Sequence, residues 1–371
     1  MESNEPFKLK NIYTRDLIQG YGRIVKKVWP TFQEKNFLKK VFNSDWETLE
    51  LKQRMRHISS QLFQSLPSGY EHAAHIIVST VDDLIERHGS KMTFEYGFLA
   101  DFIERYGLEH PEISIPALEK VTQWTSAEFA VRPFLLRYPD RMYAQMLHWS
   151  QHENPYVRRL SSEGIRPRLP WGQGIPVLKK DPSPILPILE RLKNDPAETV
   201  RRSVANNLND IAKDHPALVL KTIKSWKGIS DDTDWIIKHA SRGLLKKGDE
   251  RALKFFGFDP ATSSVVVQNL KCGKSVTIDG KLDFSFELLH QGKKPVKARI
   301  EYAIDYLTST GKKSTKVFQI REKTMKPDTQ ETIFRFQRFA NLTTRKHFPG
   351  NHKLSILLNG REVASASFLV R

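Results

Sequence analysis

Cysteine is nearly absent from this sequence, which has a single one, Cys272, in 371 residues. One cysteine excludes an internal disulfide and a cysteine-based zinc site. Long hydrophobic runs are missing too: no stretch of about 18 apolar residues occurs, and the first residues, MESNEPFKLKN, contain no hydrophobic signal core. We therefore expect a cytoplasmic protein that does not span a membrane.

The sequence also lacks the motifs of several large enzyme classes. It has no Walker loop, no dinucleotide-binding fingerprint and no Gly-x-Ser-x-Gly elbow. His148 and His152 stand four residues apart, which suits a metal on one helix face, but no third ligand has a recognisable spacing. We expect neither a metal nor a small-molecule cofactor.

Acidic residues are outnumbered by basic ones. The chain has 59 Lys and Arg against 42 Asp and Glu, a formal net charge of +17. Such a balance indicates a polyanionic partner, nucleic acid first and an anionic membrane surface second. The excess is greatest near the carboxyl end, where residues 263–371 hold 20 basic and 9 acidic residues, 20 − 9 = +11.

A repeat organises the first two thirds of the chain. Val157-Arg158-Arg159, preceded by Asn-Pro, recurs 43 residues later as Val200-Arg201-Arg202, preceded by Asp-Pro, and a degenerate third copy begins near Ile236. Repeats of about 40 residues with helical apolar spacing are typical of HEAT-type helix pairs stacked into a solenoid. We predict helices from Asp16 to about Phe258, interrupted by an ordered proline-rich loop at Pro167–Pro187.

The apolar pattern changes from helical to alternating after Pro260. About seven strands are predicted from Ser263 onward, and Asn359-Gly360 between two apolar runs is a strong signal for a two-residue hairpin. These features predict an immunoglobulin-like sandwich. The expected architecture is a mainly α HEAT-like domain at 1–260 followed by a basic immunoglobulin-like domain at 261–371.

Three carboxylates come from three consecutive predicted repeats. At 100° per residue, Glu163 and Asp210 lie off the apolar stripes of their helices, and Glu128 follows Trp124 by four residues. Each carboxylate has a simpler explanation, however. Glu128 could form a capping box with Thr125, Glu163 could pair with Arg159, and Asp210 could pair with Lys213. Trp171 could either pack the proline-rich loop or form a wall against a cationic ligand.

Three segments resemble the HEAT-like-repeat DNA alkylation repair glycosylases, and within them the AlkC type, which carries an immunoglobulin-like domain. The segments are WTSAEFAVRPF (124–134), NPYVRRLSSEGIRPRLPWG (154–172) and DPAETVRRSVANNLNDIAKDHP (195–216). The resemblance implies hydrolysis of the N-glycosidic bond of cationic alkylated bases, such as 3-methyladenine and 3-methylcytosine, in duplex DNA. No spacing identifies a nucleophilic lysine, so no lyase activity is expected.

The resemblance also implies roles for individual residues. It maps Glu128, Glu163 and Asp210 to catalytic carboxylates, Trp171 and Trp124 to aromatic positions near the lesion, and Arg159 to a DNA contact. The related AlkD type has Asp at the position of Glu128. We assign further DNA contacts to basic residues near these positions and in turns of the sandwich: Arg158, Arg166, Arg202, Lys293, Lys294, Lys312 and Lys313.

Two alternatives remain open at this stage. The basic turns could be ordinary solvated turns, and the whole chain could be a non-enzymatic HEAT scaffold that binds nucleic acid or an acidic protein. A scaffold explains the charge but gives no use to three carboxylates on a basic surface. The expected protein is a monomeric, nucleoid-associated repair enzyme of the cytoplasm.

Overall fold

The computed structural model describes residues 8–342 and 345–371. The chain divides into two compact units: the first extends to His215 and includes Thr222–Ala240, and the second comprises Pro216–Lys221 and Ser241–Arg371. The stretch MESNEPFKLKN, on which the expectation about a signal sequence rests, lies mostly outside the described residues.

Helices form nearly all of the regular structure before residue 260. They are α1 (Arg15–Val28), α2 (Glu34–Val41), α3 (Leu51–Phe63), α4 (Tyr70–His88), α5 (Gly97–Tyr106), α6 (Pro111–Val121), α7 (Val131–Arg137), α8 (Pro139–Trp149), α9 (Pro155–Glu163), α10 (Pro176–Lys180), α11 (Leu186–Leu192), α12 (Glu198–Ile211), α13 (Pro216–Trp226), α14 (Asp231–Ala240), α15 (Arg242–Lys246) and α16 (Glu250–Phe255). Five of them begin with proline, which suits the first helical position because its missing N–H would have no helical partner there. No helix in the described ranges is long and apolar enough to cross a membrane.

The sequence repeat corresponds to a structural one. Arg158 pairs with Asp195 at 2.6 Å and donates to the carbonyls six and five residues before it. Arg201 repeats this arrangement, pairing with Asp232 at 3.2 Å and donating to the carbonyls of Asp195 and Pro196. Because α9 packs against α12 and α12 against α14, each arginine joins one repeat to the next.

The proline-rich segment is shorter as a loop than predicted. Residues 164–175 contain no α-helix, but α10 begins at Pro176 and a 3₁₀ turn at Ser183–Ile185 leads into α11. Proline breaks a helix in its interior but is tolerated at its start, which is where Pro176 stands.

In the part of the second unit that the structure describes there are eight strands, one more than the approximate number predicted. They are β1 (Val265–Cys272), β2 (Ser275–Val276), β3 (Lys281–His290), β4 (Val296–Leu307), β5 (Lys313–Met325), β6 (Gln330–Arg338), β7 (Gly350–Leu358) and β8 (Arg361–Val370). The sheets have the orders β1-β3-β6 and β2-β8-β7-β4-β5. The Asn359-Gly360 hairpin is confirmed: it joins β7 to β8, and both residues have the positive φ that a type I′ turn requires.

The border between the compact units lies earlier than the predicted domain boundary at 260/261. The short helices α15 and α16 belong to the second unit, where Arg361 pairs with Glu250 at 3.3 Å. The side chain of Asn359 donates to the carbonyl of Asp259 at 2.9 Å. These contacts connect residues 241–260 to the β7–β8 hairpin, although this segment forms helices and not strands.

Candidate active site

The first unit encloses a cavity of about 340 Å³. Its walls are formed by α3, α5, the turn before α7 and the loop that follows α9. Four carboxylates, four aromatic rings and two cations are among its lining side chains: Asp101, Glu104, Glu128, Glu163, Tyr13, Phe94, Phe129, Trp171, Lys52 and Arg166. The cavity therefore combines flat apolar surfaces with an excess of acidic groups.

Glu163 reaches the cavity because α9 ends at that residue. The helix closes on Gly164, where an added Cβ would lie 2.6 Å from Cγ2 of Val131. Glycine at this position therefore lets the end of α9 approach α7 closely. Arg166 follows three residues after Glu163, in the turn that leaves the helix.

Arg166 joins two of the predicted catalytic carboxylates. It lies 2.5 Å from Oε1 of Glu163 and 2.8 Å from Oδ2 of Asp210, and all three side chains are buried. Burial alone would lower the pKa of the Arg166 guanidinium, but the charges of Glu163 and Asp210 raise it above its ordinary value. Lys213 also contacts Asp210, at 2.9 Å. Asp210 is therefore held between two cations, whereas Glu163 lines the cavity.

Glu128 is held by a different arginine. Its Oε2 lies 2.7 Å from Arg159 and accepts a hydrogen bond from Ser126 at 2.7 Å. The capping-box alternative is wrong, because α7 begins only at Val131 and the Thr125 hydroxyl donates to the carbonyl of Thr93. Glu128 thus occupies a turn and lines the cavity from there.

The alternative partners of Glu163 and Asp210 have different outcomes. Arg159 pairs with Glu128 and not with Glu163, so the predicted surface pair within α9 is wrong. The Asp210–Lys213 pair is confirmed, but the burial of Asp210 beside Arg166 was not expected.

Trp171 presents its ring at the cavity and is 66% exposed. Its φ of 63° places it in the left-handed region, which few residues other than glycine adopt. The carbonyl of Trp171 accepts a hydrogen bond from Lys52 Nζ at 2.5 Å, and Nζ lies 4.9 Å from the centre of the Phe129 ring. Lys52 therefore links α3 to the loop that carries Trp171.

Arg132 fastens both ends of this loop. Its side chain is fully buried, donates to the carbonyl of Gly164 at 2.7 Å and also donates to the carbonyl of Gln173. Burial and the nearby charge of Arg166 lower the pKa of Arg132 to about 10, so it remains a cation at neutral pH. One residue of α7 thus fixes the span between Glu163 and Trp171.

Asp101 and Glu104 form a second acidic wall on α5. Asp101 is buried, accepts a hydrogen bond from Ser59 and lies 3.7 Å from Arg56. Burial and the charge of Asp101 raise the pKa of Glu104 to about 7. The charge of this wall therefore changes near neutral pH.

Comparison with known proteins identifies the helical part of the chain. The family model described as DNA alkylation repair enzyme matches residues 38–244, more than half of the sequence. The chain belongs to the DNA alkylation repair enzyme family. Residues 266–371 match the C-terminal Ig-like domain described for the uncharacterised protein YhaZ, which agrees with the sandwich predicted from the sequence.

Two relatives of this DNA alkylation repair protein match it along nearly its whole length. Uncharacterized protein YhaZ of Bacillus subtilis (strain 168) is 46% identical over 98% of this chain and 99% of its own. The solved structure of Pseudomonas fluorescens alkylpurine DNA glycosylase AlkC, bound to DNA containing an abasic site analog, is 37% identical with a TM-score of 0.91. That match covers 98% of this chain and 100% of AlkC. The resemblance found in the sequence is confirmed.

Trp124 does not lie where a lesion contact requires it. This side chain of the repair-family domain is only 2% exposed, and Tyr96 packs edge-on against its ring at 5.6 Å. Its carbonyl accepts two hydrogen bonds from Thr93. Trp124 therefore supports the wall behind the cavity, and the expectation of direct substrate contact is corrected for this residue.

The arginines expected to contact DNA have several different environments. Arg166 is buried between two carboxylates, and Arg158 joins successive repeats, so neither presents a free guanidinium. Arg159 is engaged by Glu128. Arg202 is exposed and pairs with Glu198 at 2.5 Å. The expectation of direct phosphate contact is therefore corrected for Arg158 and Arg166.

The four lysines predicted to contact DNA lie in the second unit. Lys293 and Lys294 are exposed in the β3–β4 connection, and Lys312 and Lys313 are exposed at the β4–β5 turn. Within the described ranges none of the four forms an ion pair, so their charges are available to a partner. Their contact with DNA stays a prediction.

Sequence reasoning missed Lys52, Arg132 and the Asp101–Glu104 pair. They come from α3, α7 and α5, outside the repeat copies, and Lys52 meets Trp171 across 119 residues of sequence. Only the position of Arg132 in the WTSAEFAVRPF segment gave a signal. No group of three or more His, Cys, Asp or Glu side chains in the described ranges is arranged to hold a metal ion.

Proposed function

We propose that this protein is a DNA glycosylase that hydrolyses the N-glycosidic bond of cationic alkylated bases in duplex DNA, with 3-methyladenine and 3-methylcytosine as substrates. One observation carries the proposal: Glu128 and Glu163 line the same cavity as the exposed ring of Trp171. The likeness to AlkC along the whole chain supports the same conclusion.

The proposed chemistry needs carboxylates more than a general acid. A base alkylated at a ring nitrogen already carries positive charge, so it can leave without being protonated. Cleavage builds oxocarbenium character on the sugar, which a nearby carboxylate stabilises and to which it can direct a water molecule. Glu163 is our candidate for this role, because Arg166 holds its Oε1 and no described residue hydrogen-bonds to its Oε2.

The neighbouring groups have supporting roles in this proposal. Glu128, oriented by Arg159, adds negative charge to the same cavity. Asp210 acts through Arg166, which it holds in place for Glu163. Trp171 offers an aromatic face to the cationic base.

We assign Lys52 to the support of the Trp171 loop and not to nucleophilic catalysis. Its amine is engaged by the carbonyl of Trp171 and the ring of Phe129. The proposed reaction therefore ends with an intact sugar–phosphate backbone. Treatment with borohydride should trap no covalent adduct of the parental protein with DNA, and a trapped adduct would show lyase chemistry.

We further propose that the helical repeats form a HEAT-like solenoid and that the basic sandwich helps to hold duplex DNA. The recurring arginine pairs between successive repeats support the solenoid. A monomer at the bacterial nucleoid, in the cytoplasm, fits this function. A non-enzymatic scaffold would share the basic charge, but a cavity with four carboxylates would oppose the binding of a polyanion unless the acids had a use.

The test is chemical. Duplex DNA treated with a methylating agent is incubated with the protein, and the free bases are separated by chromatography. We expect release of 3-methyladenine and 3-methylcytosine, while duplexes containing uracil or hypoxanthine, which are uncharged and need protonation, should remain intact. Release of uracil at a rate similar to that of 3-methyladenine would contradict the mechanism, and no release of any methylated base would contradict the function.

A further inference from the structure

Two phenylalanine side chains are exposed next to each other on an edge strand of the second unit. Phe334 is 71% exposed and Phe336 is 50% exposed, and both belong to β6, which lies at one edge of the β1-β3-β6 sheet. Residues two apart on a strand point to the same face of a sheet. Exposed apolar side chains on an edge strand promote aggregation. Their presence here therefore indicates that this surface binds a partner.

Three basic residues and the acidic Asp283 lie near the two rings. In the register of the sheet Phe334 lies opposite Ser285 and Phe336 opposite Asp283, while Arg338 lies opposite Lys281. Lys271 of β1 lies opposite Ser285 on the other side of β3. We call this outward surface, with Phe334, Phe336, Lys271, Lys281 and Arg338, the β6 face.

The cations of the β6 face are not held in ion pairs within the described ranges. In these ranges Lys271, Lys281 and Arg338 form no ion pair with a carboxylate, although two acidic residues of β3, Asp283 opposite Phe336 and Glu287 opposite Thr332, lie on the same outward face. Lys281 Nζ lies 5.1 Å from the centre of the Phe336 ring. A shallow groove of about 520 Å³ runs beside the rings, and its lining includes Lys271, Asp283, Ser285, Phe334, Arg335 and Phe336.

We propose that the β6 face binds unpaired nucleotides of single-stranded DNA, with bases stacked on Phe334 and Phe336 and phosphates paired with Lys271, Lys281 and Arg338. Sheet surfaces bind single strands in this way, because every base has an aromatic face while the cations follow the backbone. In a duplex the base faces are already stacked on each other, so the two rings could not reach them. The proposal is independent of the excision chemistry, which requires an alkylated base.

The observations favour a nucleic acid over a protein partner at this face. A protein partner for an apolar edge strand needs only hydrophobic surface and free backbone groups. The β6 face adds three cations without carboxylate partners in the described ranges, in a domain whose net charge is already +11. Positive charge interleaved with aromatic rings is complementary to a polymer that alternates phosphates and flat bases.

The experiment measures binding of the full chain to a fluorescently labelled 12-nucleotide thymidine oligomer by anisotropy. We expect the double variant Phe334→Ala/Phe336→Ala to bind about 10-fold or more weakly, since each base–aromatic stack contributes substantially to binding. Phe334→Tyr/Phe336→Tyr should retain the parental affinity because tyrosine also offers a ring. Val363→Ala, an exposed apolar residue on β8 in the other sheet, serves as the matched control.

Salt dependence separates the roles of rings and cations. Lys281→Gln should make the negative slope of log affinity against log salt shallower by about 0.7, because it removes one phosphate interaction. The phenylalanine variants should leave the slope unchanged. A uridine oligomer of the same length tests whether RNA uses the same face, and the same weakening in the alanine variant would support stacking there too.

Several results would overturn the proposal. One is parental affinity in the double alanine variant with intact thermal stability, and another is the absence of measurable binding of the thymidine oligomer by the parental chain at low salt. An equal loss of duplex affinity would assign the face to double-stranded DNA. Sedimentation of the parental chain as a dimer that the double variant abolishes would assign it to self-association.

Discussion

At the scale of single residues, the candidate site depends on how each carboxylate is balanced by an arginine. Arg159 neutralises Glu128 in a partly buried pair, while Arg166 serves Glu163 and Asp210 together in a buried one. A buried carboxylate without such a partner would take up a proton or destabilise the fold. The arginines therefore orient the acids, at the expense of their own access to phosphate.

The role of Asp210 can be tested through the residue it holds. Asp210→Asn leaves Arg166 with one charged partner, so we expect a loss of stability on the order of 2 kcal/mol together with slower excision. Denaturant unfolding and single-turnover excision of 3-methyladenine measure the two effects. Asp214→Asn, which breaks the more exposed pair with Arg168, is the control and should alter neither by much. Unchanged stability and unchanged excision in Asp210→Asn would contradict the role of Asp210 in the site.

At the scale of elements, the loop between α9 and α10 decides where Trp171 stands. Arg132 binds the carbonyls at both ends of the loop, and Lys52 binds the carbonyl of Trp171. The strained backbone of Trp171, with its φ of 63°, is thus held by contacts from α7 and α3.

Removing the Arg132 contacts should loosen the loop without unfolding the helices. Arg132→Met keeps an apolar stem in the buried site but removes both hydrogen bonds, so we expect faster hydrogen exchange at residues 164–175. Excision should fall about 10-fold or more because Trp171 and Glu163 are no longer held at a fixed separation, while duplex affinity changes little. Arg137→Met, on the exposed end of the same helix, provides the comparison. Parental exchange rates in the loop of Arg132→Met would refute the positioning role.

Local signals at this scale were enough to predict some elements and not others. The Asn359-Gly360 hairpin and the repeat at Val157 and Val200 follow from neighbouring residues alone, and both were found. Local signals do not predict the pairing of Arg166 with Asp210, because it spans 44 residues and depends on how α9 and α12 pack. Spacing also cannot distinguish an aromatic residue that lines a cavity from one that supports its wall, as Trp124 does.

At the scale of the whole molecule, the chain consists of two compact units that differ in secondary structure and in the size of their positive net charge. The predicted composition change near Pro260 lies inside the second unit, since α15 and α16 belong with the sandwich. A fragment that ends near Pro260 would therefore cut through a compact unit. Charge substitutions in the full chain therefore test the proposed contact of the basic sandwich with DNA better than truncation does.

The four exposed lysines of the sandwich should contribute to the salt dependence of duplex binding. We replace Lys293, Lys294, Lys312 and Lys313 by glutamine. The negative slope of log affinity against log salt should then become shallower by about 0.9 for each phosphate interaction that is removed. Lys353→Gln, whose amine already pairs with Glu362 at 2.7 Å, should have little effect. Identical slopes for the parental protein and the fourfold variant would mean that these turns do not touch the duplex.

In the proposed mechanism, Glu163 stabilises charge on the sugar during excision. The most direct test is the single-turnover rate of 3-methyladenine release by Glu163→Gln, measured beside its affinity for the same lesion-containing duplex. We predict a rate reduction on the order of 100-fold or more, because the substitution removes a charge that faces the reacting bond. Duplex affinity should remain close to parental, and Glu153→Gln, an exposed residue before α9, should excise at the parental rate. Parental excision by Glu163→Gln with intact fold would contradict the assignment of this cavity as the active site.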